Sequence, residues 1–171
     1  PYPDWRETYH AVLSLRPLLD RFGRTKTLCH IDPVHDNYLF CKKDGLRLID
    51  WEYAAMCDPD IDIAMFCLYA GYRQPQIDHV MDLYYCGVCP PAVRAKITCY
   101  VAICGLLWTY WCEYKKKNGV EYEAYARTQY DYARTFTPIA LRRAAALGIT
   151  LPEKKIHPAN QPASRFLTCP L

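Results

Sequence analysis

Two short apolar runs on either side of an Asp-Gly pair constrain this chain more than any other feature of its sequence. Residues 38–42 and 46–50 are predicted strands, and Asp44-Gly45 between them is typical of a tight β-hairpin turn. A hairpin folds the second strand back along the first, so the residues that flank the two strands meet at one end. Those residues are polar: His30–Asn37 has the form H-x-D-x-x-x-x-N, and the second strand ends in D-x-E.

The hairpin is therefore expected to gather oxygen ligands beside a candidate base. Phosphoryl transfer from a magnesium nucleotide needs an Asp that orients the attacking hydroxyl and accepts its proton, and Asn and Asp side chains that hold the metal. We predict Asp32 as the base and Asn37 and Asp50 as metal ligands. Glu52 is predicted as a second-site or water-mediated ligand. The alternative for the first motif is a polar turn, because Asp, Pro and Asn all favour turns.

Two further polar residues are predicted to act on this loop. His30 is included among the catalytic-loop residues, and we expect it to pack beneath the loop and hydrogen-bond its backbone. A role as nucleophile partner or metal ligand is the alternative. Asp62 either caps a helix or binds the backbone of the catalytic loop, and both contacts are compatible.

Length and periodicity predict one mainly helical α+β domain. At 171 residues, with 51% hydrophobic and 23% charged residues, the chain is long enough to bury a core. Asp4 and Asp60 are candidate helix N-caps, Pro17 is expected to kink or shorten the first helix, and residues 54–59 are a predicted loop. A short strand is predicted over residues 28–31, and helices over residues 4–22, 60–72, 74–85, 90–117 and 121–147.

Charge and hydropathy argue against two classes of partner. The net charge of +3 is mixed along the chain, and no basic stripe indicates a nucleic-acid surface. The one basic run, residues 115–117, ends an apolar helix and is expected to be solvated there. The most apolar run, residues 97–112, is shorter than the roughly 20 residues that span a bilayer, so we expect a buried core helix rather than a membrane span.

The ten cysteines favour a reducing compartment. Most lie inside apolar runs of a chain that is rich in core residues and carries no signal peptide, so buried free thiols and a cytoplasmic location are expected. Cys86 and Cys89 form a lone C-x-x-C without the second pair that a zinc site needs.

Aromatic residues cluster in the second half of the chain. Trp108 and Trp111 are three residues apart and share a helix face, and the next helix is rich in tyrosine. Core packing explains such residues well. Indole and phenol faces can also cage a quaternary ammonium, with a gain of about 0.5–2 kcal/mol per ring.

These motifs together resemble the choline kinase branch of the aminoglycoside phosphotransferase and protein-kinase-like superfamily, and in particular the LicA-type bacterial choline kinases. The resemblance covers roughly residues 5–147. It lies in a catalytic loop (Leu28–Asn37), a metal-binding segment (Leu48–Ala54), the segment Asp58–Ala64, a W-x-x-W motif (Trp108–Trp111) and the tyrosine segment Glu123–Ala126.

The resemblance implies the C-terminal lobe of a protein-kinase-like fold over residues 1–149. Its catalytic loop would span residues 28–53, its choline-pocket helices residues 90–147, and a Pro-rich tail residues 150–171. The implied reaction is transfer of a phosphoryl group from ATP, with Mg²⁺, to the hydroxyl of choline. Trp108, Trp111, Tyr125 and Tyr53 would cage the trimethylammonium.

One departure from the family bears on activity. None of the seven glycines forms G-x-G-x-x-G, and the 27 residues before Leu28 are too few for a nucleotide-clamping lobe. We therefore expect the N-terminal lobe to be absent and the isolated chain to be inactive. The alternatives are a phosphotransferase for ethanolamine, an aminoglycoside or another small alcohol, and a non-catalytic choline-binding module.

Overall fold

The computed structural model describes residues 2–151 as a helical domain with two small pairs of antiparallel strands. The predicted mainly helical α+β class is confirmed. The predicted tail over residues 150–171 lies outside the described residues from position 152 onward. In chain order the elements are α1 (Trp5–Leu13), α2 (Arg16–Phe22), β1 (Thr27–Cys29), a 3₁₀ turn (His35–Asn37), β2 (Tyr38–Cys41), β3 (Gly45–Leu48), β4 (Ala55–Cys57), α3 (Asp60–Tyr69), α4 (Gln74–Tyr84), α5 (Pro91–Lys117) and α6 (Glu123–Ala145).

The predicted hairpin is present as β2 and β3. Its register pairs Tyr38 with Leu48 and Cys41 with Gly45. Gly45 has a φ of 70°, a left-handed conformation that glycine adopts without a steric penalty, so the Asp-Gly pair closes the turn as expected.

Of the second strand pair, β1 was predicted and β4 was not. β1 pairs with β4, and Cys29 lies opposite Ala55. The prediction of a loop over residues 54–59 is therefore wrong, because a three-residue strand is too short to show a periodic pattern. The pairing brings the segment after the D-x-E motif back beside the entry to the catalytic loop.

The predicted first helix is two helices. α1 ends at Leu13 and α2 begins at Arg16, because Pro17 lacks a backbone N–H and its ring crowds the carbonyl four residues earlier. Asp4 is the N-cap residue of α1, as predicted, but its side chain makes no capping hydrogen bond. Its carboxylate instead accepts a hydrogen bond from the Tyr130 hydroxyl at 2.9 Å and pairs with Arg134 at 2.9 Å, which ties α1 to α6.

The core forms where α5 packs against α3 and α6. By length and composition, α5 is the one helix among residues 2–151 that could cross a membrane. However, 72% of its most apolar 18-residue segment is buried inside the molecule. Helix α3 ends three residues earlier than predicted, because Gly71 adopts a φ of 67° and the Tyr72 N–H bonds back to the Cys67 carbonyl at 3.1 Å. All nine cysteines in the described part of the chain are free thiols, and the cytoplasmic location stays a prediction.

A buried ion cluster anchors the start of α3 to α5. Lys96 Nζ lies 2.9 Å from Asp58 Oδ2 and 2.8 Å from Asp60 Oδ2, and the Tyr85 hydroxyl donates to Asp60 at 2.5 Å. Burial opposes the charge on Lys96, but its hydrogen bonds to Asp60 and Asp58 outweigh burial and raise its pKa. The prediction of Asp60 as the N-cap of α3 is wrong, because its carboxylate is used in this cluster and makes no cap bond.

Gly105 marks the closest approach of α5 and α6. A Cβ atom there would lie 2.7 Å from the Gln129 carbonyl oxygen and 2.8 Å from Tyr132 Cβ. Both are tighter than real Cβ contacts, and the first neighbour is backbone that cannot move without shifting α6.

We expect Gly105→Ala to lower the free energy of unfolding by about 1–3 kcal/mol, since overpacking outweighs the gain in helix propensity of about 1 kcal/mol. Urea denaturation measures the change. Leu107→Ala, on the exposed side of the same helix, is the control and should stay within about 0.5 kcal/mol. A Gly105→Ala variant more stable than the wild type would contradict the close approach.

Candidate active site

A carboxylate from α3 holds the backbone of the catalytic loop. Asp62 Oδ2 accepts the His30 N–H at 2.9 Å, and its Oδ1 accepts the Ile31 N–H at 2.8 Å. Ile31 has a φ of 71°, which is a strained conformation for a β-branched residue. Of the two contacts considered for Asp62, the one to the loop backbone is present, and no cap bond at the start of α3 involves it.

The side chain of His30 lies beneath the loop. It is 2% exposed, its Nε2 is 2.7 Å from the Ile49 carbonyl oxygen, and its Nδ1 accepts the Asp32 N–H at 3.3 Å. These partners assign the ring proton to Nε2, which donates to Ile49. His30 thus connects the loop to the end of β3, and both ring nitrogens contact backbone rather than an open site.

Asp32 and Asn37 are joined through the carboxamide of Asn37. Asn37 Nδ2 donates to the Asp32 carbonyl at 2.9 Å and lies 3.4 Å from Asp32 Oδ2. Asn37 is buried in the 3₁₀ turn, and the Ile49 N–H donates to its carbonyl at 2.9 Å. The hairpin therefore brings the end of β3, and with it Asp50, beside Asn37.

The oxygen donors left free here suit Mg²⁺, which prefers carboxylate, carbonyl, water and phosphate oxygens. Because Asn37 Nδ2 is committed to Asp32, its Oδ1 is the atom that remains for a metal. Asp50 is exposed, has a φ of 61°, and makes no ion pair within residues 2–151. In that part of the chain no three His, Cys, Asp or Glu side chains converge on one point, and Glu52 is exposed. The metal roles of Asn37, Asp50 and Glu52 stay predictions.

An aromatic cavity opens beside Asp32. Its volume is about 480 Å³. All four residues predicted for the cation pocket line it, and so does Asp32. The complete lining is Asp32, Val34, His35, Tyr53, Tyr69, Trp108, Trp111, Tyr122 and Tyr125.

The rings in this cavity form a connected wall. The ring centroids of Trp108 and Trp111 are 5.9 Å apart, and those of Tyr53 and Trp108 are 6.3 Å apart. Tyr122 continues the wall, with its ring centroid 5.3 Å from that of Trp111. A second cavity of about 470 Å³ shares only Tyr122 with this one and is lined by charges of both signs. Only the first contains Asp32.

Tyr69 was not predicted as a site residue, and it links the aromatic wall to Asp32. Its hydroxyl donates a hydrogen bond to Asp32 Oδ1 and accepts one from Trp108 Nε1 at 2.8 Å. Burial, followed by the hydrogen bond to Asp32, raises the pKa of Tyr69, so its hydroxyl remains a donor. Tyr69 ends α3, and only its place seven residues after Asp62 could have suggested that it faces the same loop.

Tyr125 presents a hydroxyl that has no partner in the described residues. The oxygen is buried, and burial raises the pKa of the group. A buried hydroxyl without a partner is uncommon, and the residue that carries it belongs to the cavity lining.

Comparison with known proteins places this chain in a family. Residues 3–95 match the phosphotransferase enzyme family, which is more than half of the chain. The chain belongs to this family. The predicted resemblance to LicA-type choline kinases is confirmed as well. The chain is 28% identical over 111 residues to protein LicA of Haemophilus influenzae. The aligned region covers 61% of this chain and 41% of that protein.

Solved phosphotransferases of this kind have the same fold. Choline kinase LicA from Streptococcus pneumoniae superposes with a TM-score of 0.70 at 29% identity over 81% of this chain and 49% of that one. A choline/ethanolamine kinase family protein from Mesorhizobium loti superposes with a TM-score of 0.74 at 26% identity, over 86% of this chain and 51% of that one. The chain thus spans about half the length of these relatives. Family and fold together identify the chain as a member of the phosphotransferase family with a choline-kinase-like fold.

We expect Asp62→Ala to lower the free energy of unfolding by about 2–4 kcal/mol, since two N–H groups lose a charged acceptor. Urea denaturation measures this loss, and faster hydrogen exchange at the His30 and Ile31 amides localises it. Asp36→Ala removes an exposed loop carboxylate and should change stability by less than about 0.5 kcal/mol. Equal effects of the two substitutions would contradict the role assigned to Asp62.

Proposed function

We propose that this phosphotransferase transfers the γ-phosphoryl group of ATP to the hydroxyl of choline, with Mg²⁺ as cofactor. The observation that carries the proposal is the position of Asp32 in the wall of an aromatic cavity. A base and a cation-binding surface in one cavity suit an acceptor that carries an alcohol and a quaternary ammonium a few bonds apart.

The ring faces supply the binding energy for the ammonium. Trp108, Trp111, Tyr53 and Tyr125 would surround a trimethylammonium, which cannot donate hydrogen bonds and is weakly hydrated. Each ring contributes about 0.5–2 kcal/mol when the cation is desolvated. Asp32, the one carboxylate in the lining, adds a favourable charge at the hydroxyl end.

The transfer step then uses the two oxygens of Asp32 differently. Tyr69 donates to Oδ1, and Oδ2 has only the long contact from Asn37 Nδ2 at 3.4 Å, so Oδ2 is the oxygen that would accept the proton of the choline hydroxyl. As that proton leaves, the hydroxyl oxygen bonds to the γ-phosphorus and the bond from phosphorus to the β,γ-bridging oxygen breaks, which yields phosphocholine and ADP. When bound, Mg²⁺ neutralises phosphate charge, and Asn37 and Asp50, with Glu52 directly or through water, are the residues that would hold it.

We also propose that turnover needs a nucleotide-clamping lobe beside residues 2–151. The exposed apolar side chains of the strands support this part of the proposal. Phe40 and its strand partner Leu46 are 86% and 56% exposed, and Met56 on the other strand pair is 61% exposed, so both strand pairs carry apolar surface of the kind that another part of the protein covers.

Ethanolamine is the second candidate acceptor. Tyr125 favours it, because a primary ammonium has N–H donors, and the Tyr125 oxygen would accept from one of them once a small movement of the ring exposes it to the cavity. An aminoglycoside fits less well, since it carries several ammonium groups and the described lining offers them one carboxylate.

Calorimetric titration of the chain separates these acceptors. We expect choline to bind about tenfold more tightly than ethanolamine, and an aminoglycoside more weakly than either. Tyr125→Phe keeps the ring and should weaken ethanolamine selectively if ethanolamine uses the hydroxyl. Tighter binding of the aminoglycoside than of choline would contradict the proposal.

Asp32→Asn tests the chemical step in a protein that carries this chain together with a nucleotide-clamping lobe. We expect kcat to fall by about 10²- to 10⁴-fold, since the general base is lost, while the Kd for choline changes by less than about tenfold. Formation of phosphocholine from ATP measures turnover. Turnover that survives the substitution would refute the role of Asp32, and choline binding without any Mg-ATP binding in that two-lobe protein would favour a non-catalytic module.

A further inference from the structure

One lysine of the chain already binds the aromatic wall. Lys115 Nζ lies 5.1 Å from the ring centroid of Trp111, within the range of a cation–π contact. The two residues are four apart on α5 and therefore share a helix face. Lys115 is half-buried but is not among the residues that line the cavity, so its ammonium meets the indole from outside.

No carboxylate of residues 2–151 pairs with this ammonium. Within residues 2–151, Lys115 forms no ion pair, whereas its neighbour Lys116 lies 3.6 Å from Glu121. The last turn of α5 offers only the partial negative charge of its carbonyl groups. Lys115 is thus a full positive charge held against one wall of a pocket that we propose for a cation.

Two cations on one indole weaken each other. Each is attracted by the electron density of the ring, and the two repel directly across it. A ligand of the same shape without charge is not subject to either effect. A ligand with several positive charges is repelled more strongly, because every charge adds to the repulsion.

We propose that Lys115 is a positioning residue that acts through Trp111 to limit how tightly the cavity binds cations. It keeps the affinity for a single quaternary ammonium moderate and disfavours polycations. This inference rests on the proposed function of the cavity. A purely structural lysine would only pack its methylene stem on the ring, and its loss would change the binding of charged and uncharged ligands alike.

The test compares choline with its uncharged carbon analogue, in which a tert-butyl group replaces the trimethylammonium. Lys115→Met removes the charge and keeps an apolar stem. By calorimetry on the whole chain, we expect it to tighten choline about three- to tenfold and to leave the analogue within about twofold. Lys115→Arg restores the charge and should restore the wild-type affinity for choline.

Lys117→Met is the matched control. It removes the same charge two residues further on, from an exposed position outside the cavity lining, and should change neither ligand by more than about twofold. Equal changes for choline and the analogue in Lys115→Met would overturn the inference, as would no change or the same change in Lys117→Met. If the wild-type chain binds neither ligand, the proposed function fails and the role of Lys115 fails with it. If the wild type binds choline and Lys115→Met does not tighten it, only the inference about Lys115 fails.

Discussion

The candidate active site depends on the hydrogen bonds that the Asp62 carboxylate accepts from two backbone N–H groups. His30 and Ile31 donate to its two carboxylate oxygens at 2.9 and 2.8 Å. These bonds help to compensate the left-handed backbone of Ile31, the residue just before Asp32. Asp62 is itself fixed, because Lys96 binds Asp58 and Asp60 in the residues just before it. A buried ion cluster therefore holds the start of α3, the start of α3 holds the loop, and the loop presents Asp32.

The end of the same helix completes the arrangement. Tyr69 closes α3 and places its hydroxyl between Trp108 and Asp32. One helix thus holds the backbone of the catalytic loop at its first turn and one oxygen of Asp32 at its last. The aromatic wall and the Asp32 carboxylate belong to one hydrogen-bonded unit, which gives a physical reason for the proposed cation site and the proposed base to lie within the length of one small acceptor. Lys115 adds one positive charge to this unit through its contact with the ring of Trp111.

Much of this could be predicted from local pattern. The Asp-Gly turn, the D-x-E strand end and the W-x-x-W face are each properties of a few neighbouring residues, and the structure contains the hairpin and brings Asp32 into one cavity with Trp108 and Tyr125. The errors have a common cause as well. Each missed feature depends on a partner far away in the chain. Strand β4 needs the strand that contains Cys29, and Asp60 pairs with Lys96. The contacts of Asp4 and Tyr69 are likewise with distant residues. A short strand or a lone acid near a helix start carries no local signal of such a partner.

By itself the sequence determined which residue types carry the chemistry and where the helices end. Prolines and glycines set the ends of helices, and apolar periodicity set which helices are buried. Only the tertiary structure decided that Tyr69 donates to one oxygen of Asp32, that His30 faces backbone and not the cavity, and that Tyr125 keeps a hydroxyl without a partner in the described residues. The physical reason is the range of the forces. Backbone sterics and helix periodicity act between near neighbours, whereas hydrogen bonds and ion pairs are specific to groups that only folding brings within about 3 Å of each other.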